Sequence, residues 1–141
     1  MSLSWTAPAD VLADCAGPGW AGIWTLTHAA AHAALHLADA LPLVEGIELV
    51  YAASYLREAQ GKLESARPDL PARCAAVDLG PLDPDDDFTQ AQDVLDQLAS
   101  AALDRTWDLF DTHLTITDAL IVADVDDALR SAQWKILGLE P

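Results

Sequence analysis

The stretch WAGIWTLTHAAAHAALHLADAL, Trp20 to Leu41, decides what kind of protein this is. It has no Lys, Arg or Glu and is long enough to cross a bilayer. Three histidines, Asp39 and the following Pro42 argue against a membrane span, as does a composition built on Ala rather than Leu or Ile. No basic residues flank it to set an orientation. The stretch therefore predicts a soluble helix. At 100° per residue, Ile23, Leu26, Ala30, Ala33, Ala34, Leu37 and Leu41 gather in one direction, with His28, His32 and His36 broadly opposite, beside Thr25 and Asp39. Trp20, Trp24, Ala31, Leu35 and Ala38 fill the arc between. A helix that is apolar around most of its girth sits centrally, covered on more than one side.

Prolines and glycines divide the rest of the chain. A short helix is expected from about Pro8 to Cys15, ending at Gly17-Pro18-Gly19, and a long one from Leu43 to Ala66 with Pro42 in its first turn. The segment RPDLPARCAAVDLGPLDPDDD, with four prolines, reads as a long crossover. A further helix starts near Asp87, whose spacing to Gln90 fits a capping box, and runs to Phe110. The last spans Thr115 to Leu137, with Thr115 and Asp118 repeating that spacing and Gly138 marking the end. On the Asp87–Phe110 helix, Phe88, Ala91, Leu95, Leu98, Ala102, Thr106 and Leu109 form a core face opposite an acidic one. Four helices of similar length, two tight connections and one long crossover describe an all-α four-helix bundle with a short leading helix, in a single domain covering residues 1–141.

The net charge is −16, of which residues 1–67 carry −4 and residues 68–141 the remaining −12. Such a surface repels phosphate backbones and anionic lipids, so neither direct nucleic-acid binding nor membrane binding is expected. It keeps the protein soluble, and it leaves a basic partner open, for which the chain could act as an acidic decoy. The excess of Asp and Ala fits a GC-rich bacterial source. Cys15 and Cys74 are too few for a disulfide framework and form no CxxC pair, which places the chain in a reducing cytoplasm. No basic n-region precedes an apolar stretch, so no secretory signal is expected.

Histidines at i, i+4 and i+8 can chelate a divalent transition metal, with Asp39 and Glu45 as further ligands to His28, His32 and His36. The competing reading makes them the polar stripe of a central helix. No Glu-x-x-His or His-Glu-x-x-His motif supports a metalloenzyme, and no phosphate loop or nucleophile elbow is present. Asp111-Thr112-His113 places an acid beside an imidazole at a helix junction, where capping explains it. The segment WTAPADVLADCAG, Trp5 to Gly17, resembles the Trp-Thr…Asp-Val-Leu-Ala-His stretch of DinB-like and mycothiol-dependent isomerase proteins. That resemblance spans about a tenth of the chain, needs one extra residue and puts Asp14 where the family has a ligand histidine. It implies a four-helix bundle with a three-histidine metal site.

The tryptophans point elsewhere. Trp134 lies on the polar side of the last helix, in line with Ile116, Leu120 and Ala123, and Trp107 flanks the acidic face of the helix before it. Large apolar residues away from the core imply a second buried surface. The leading expectation is a non-enzymatic protein, without a cofactor, that acts by protein association as a homo-oligomer, with these five residues carrying the contact. Metal or small-ligand binding at the histidine stripe is the alternative.

Overall fold

The computed structural model describes residues 3–83 and 85–138, and among them helix is the only regular secondary structure, with no strand. The helices are α1 (Thr6–Cys15), α2 (Gly19–Ala40), α3 (Leu43–Ala66), α4 (Leu70–Arg73), α5 (Phe88–Phe110) and α6 (Ile116–Leu137). The bounds of α3 are those read from the sequence. The local signals at the later helices also act as expected: Asp87 accepts the Gln90 N–H at 3.1 Å, Thr115 accepts that of Asp118 at 3.1 Å, and Gly138 closes α6 at φ 75°. Two details differ. Pro42 is the extended N-cap of α3 rather than part of its first turn, and the crossover holds a single helical turn, α4, started by Pro71.

The four long helices touch in a closed cycle: α2 packs on α3 and α5, and α6 packs on the same two. Neighbours are antiparallel. Trp24 meets Glu64 and His28 meets Gln60 across α2 and α3, while Lys135 meets Glu48 and Lys62 meets Asp124 across α6 and α3. Leu37 and Leu41 share a cavity with Phe88 and Gln92, whereas Gly22 lies against Arg105, so α5 runs opposite to α2. It follows that α3 and α5 stand diagonally and run in the same direction. The crossover between them must return the full length of the helices. It does so along α2: Leu70 is buried, Cys74 Sγ lies 3.7 Å from the Ala21 carbonyl, and Asp78 reaches His36. Trp5, fully buried, donates its indole N–H to the Gly80 carbonyl at 3.0 Å. On the other side, α1 lies on α5, where Arg105 donates to the Ala13 and Gly17 carbonyls at 2.7 and 2.6 Å.

α2 is central, as its composition requires. Ala29, Ala30, Ala31, Ala33 and Ala34 are all buried, and their small side chains let the neighbours approach closely. No described helix is long and apolar enough to cross a membrane. Two glycines mark the closest approaches. A Cβ at Gly22 would stand 1.9 Å from the Gly17 carbonyl oxygen, and one at Gly46 would stand 2.8 Å from that of Ala38.

Gly22→Ala should therefore push the α1–α2 turn off Arg105 and cost about 2 kcal/mol or more of stability. Gly61→Ala, in the same kind of helix but with open space around it, should stabilise by about 0.5–1 kcal/mol. Urea midpoints compare the two directly, and equal shifts of the same sign would contradict this packing.

Candidate functional site

The histidine stripe faces the seam between α3 and the ascending crossover. The Trp24 ring stacks on His28 at 4.9 Å between centroids, and His28 meets His32 at 4.5 Å. Each polar edge of this column finds a partner outside α2. Trp24 donates to Glu64 Oε1 at 3.0 Å. Gln60 Nε2 lies 3.0 Å from His28 Nδ1, an arrangement in which the amide N–H donates to a neutral imidazole. His36 Nε2 sits 2.8 Å from Asp78 Oδ1, and His32 Nδ1 sits 3.8 Å from Asp78 Oδ2.

Burial lowers the His28 pKa below 6.5, with the neighbouring His32 adding to the effect. The Gly80 N–H, donated to Asp78 Oδ1 at 2.8 Å, holds the Asp78 carboxyl below its usual 3.8, and His36 reinforces this. The two signs differ in consequence. Asp78 contributes stability above its unfolded pKa that is lost as pH falls through its lower folded value. His28 charges more readily in the unfolded chain, so its folded environment costs stability once pH drops below 6.5.

The five expected metal ligands do not come together. Asp39 is exposed beside Leu43 and Ile47. Glu45 turns towards Leu41, Phe88 and Lys135, on the α5 and α6 side. His28, His32 and His36 instead meet Gln60 of α3 and Asp78 of the crossover. Among the described residues, no three His, Cys, Asp or Glu side chains are grouped to hold a metal ion. A helical wheel places residues around one helix but does not say which neighbour each side meets; Asp78, Gln60 and Glu64 were invisible for that reason.

The tryptophan face is exposed as expected. Ile116 is 82% accessible, Leu120 64%, Trp107 56% and Trp134 41%, with Ala123 half-buried between them. Neither α1 nor the crossover covers them: α1 lies on α5, α4 packs on α2 and α3, and at the foot of the crossover Arg67 pairs with Asp118 at 3.0 Å. Arg130 places its guanidinium 5.5 Å from the Trp107 ring, tying the end of α5 to α6, and Phe110 meets Trp107 edge-on at 6.4 Å. Phe110 and Leu137 enlarge the apolar surface and were not singled out from sequence, since each ends a helix where periodicity is least informative. Leu43, Val44, Ile47, Val50 and Tyr51 leave a second exposed apolar run on α3.

His28→Gln keeps a hydrogen-bonding side chain of similar reach but cannot titrate. It should flatten the fall in stability between about pH 7 and about pH 5.5, read as the slope of urea midpoint against pH. An unchanged slope would show that His28 does not carry the linkage.

No family model, curated protein or solved structure matches this chain; the Trp5–Gly17 resemblance thus stands without a family match, and Asp14, at the position of the family's ligand histidine, is exposed.

Proposed function

We propose that α2, α3, α5 and α6 form a four-helix bundle that works by associating with a second copy of itself through the outer face of α6, without catalysing a reaction. The observation that carries this reading is the exposure of Ile116, Leu120, Trp107 and Trp134 on a chain whose charge would otherwise favour a fully polar surface. Large apolar side chains at such exposure are seldom kept on a soluble surface without something to cover them. Trp is also the residue type most enriched where binding energy concentrates. Asp127 and Arg130 lie on the same side of α6 by helical spacing, giving the apolar stripe a polar edge of both signs. A two-fold pair would bury the same patch on both copies.

Charge makes this reading distinguishable from capture of a basic partner. Two copies at −16 repel each other, so salt that screens the repulsion should strengthen self-association. A complex with a basic partner would weaken instead.

Light scattering should give twice the mass of one chain, with more dimer at high than at low ionic strength. Leu120→Asp should cost at least about 2 kcal/mol of association, roughly thirtyfold in Kd, with unchanged helical circular dichroism. Trp134→Ala should weaken the pair in the same direction. A wild-type chain that stays monomeric at its highest soluble concentration in high salt would refute the proposal.

A further inference from the structure

Two segments lie side by side on the outside of the helical ring, joined at one end by the Trp5–Gly80 hydrogen bond at 3.0 Å. α1 is anchored to α5 through Asp10–Gln97 and Arg105, whereas the crossover is anchored to α2 through Leu70, Cys74 and Asp78. Between them lies a cavity of about 590 Å³, within the usual range for a small-ligand site. Its floor is Ala21 and Thr25 of α2, its α1 wall includes Val11 and Leu12, and its crossover wall includes Ala75 and Val77. The space exists because small residues line it: Ala7, Ala16, Ala21 and Ala75 leave room that larger side chains would fill. Val11, whose side chain is largely exposed, is an apolar wall without a cover in the chain as it stands.

The charge at this cavity departs from that of the whole molecule. The chain has 23 acidic and 7 basic residues, yet no described acidic residue lines the cavity. Among the described residues that do, Arg73 alone is charged. Its guanidinium pairs with Asp69 at 2.9 Å, an exposed i, i+4 contact that contributes little and that a ligand can displace. We infer that the groove between α1 and the crossover binds a small molecule with an apolar body and one anionic head, of the class of a medium-chain fatty carboxylate. The tail lies along Val11, Leu12 and Val77, and the carboxylate meets Arg73. An acidic surface elsewhere discourages such anions from binding at other places. The inference is independent of the self-association proposed above, since it uses the opposite side of the helical ring.

The two cysteines supply a built-in reporter. Cys15 stands on the α1 wall and Cys74 on the crossover wall. Sodium decanoate is the probe, with decanol and decyltrimethylammonium as controls sharing its tail. Calorimetry should detect decanoate binding, and bound decanoate should slow alkylation of both thiols by iodoacetamide. Arg73→Ala should weaken decanoate about fivefold while leaving decanol unchanged. Ala75→Trp, a change at an exposed position outside the core, should abolish binding of both by filling the groove, with helicity preserved. Thiol protection by decyltrimethylammonium equal to that by decanoate would overturn the anionic specificity. No decanoate binding at millimolar concentration, or equal binding by the Ala75→Trp variant, would overturn the site itself.

Discussion

The structure depends on one constraint of chain direction. α3 and α5 are diagonal and run the same way, so the polypeptide leaving α3 must climb the whole height of the ring before α5 can begin. A 23-residue helix is about 34 Å tall. The crossover of residues 67–87 could span about twice that if fully extended, which leaves slack for the single turn of α4. Ordering a segment of that length costs conformational entropy, which is offset by contacts on the one helix apolar enough to accept a further layer, α2. The histidine stripe is where that layer is stitched down. Asp78 lies between His32 and His36, and Trp5 reaches Gly80 from the other side.

This arrangement divides the surface of the molecule. The α1 and crossover side of the ring is occupied, with a groove left between its two segments. On the α6 side, the crossover reaches Asp118 through Arg67 at its foot and leaves the outward stripe of Ile116, Leu120 and Trp134 exposed. Exposed apolar residues on α6 and at the end of α5 are therefore a consequence of which diagonal the crossover chose. A crossover that returned over α6 would have covered Leu120 and Trp134 and left His32 and His36 without Asp78. The polar contacts of the crossover are few and partly exposed, and each contributes modestly. The apolar cycle of α2, α3, α5 and α6 is continuous and carries most of the stability.

What the sequence reveals and what it hides follow the range of the interactions involved. Asp87, Thr115 and Gly138 act on backbone groups within a few residues, so their spacing alone identifies them. The central position of α2 is legible because an apolar girth cannot be satisfied by one neighbour. The outward stripe of α6 is legible because Trp134 falls opposite Val125, Leu129 and Ala132 on the wheel. The surroundings of the histidines are not legible in the same way. Asp78 is 42 residues from His36, and only the path of the crossover brings them together. Glu45 looked like a neighbour of His36 because the α2–α3 turn is short; the first turn of α3 instead points it towards α5 and Lys135. Sequence periodicity fixes directions within a helix, and the choice of neighbour belongs to the tertiary fold.

The ascent of the crossover along α2 is the claim on which the groove, the histidine environment and the open α6 face all rest. It is tested most directly by proton nuclear Overhauser contacts in the labelled, full-length protein. The account predicts cross-peaks from the Trp5 indole N–H to Gly80 and from the His36 ring to Asp78. Absence of both, together with amide exchange across residues 74–80 at the rate of an unstructured peptide, would contradict it.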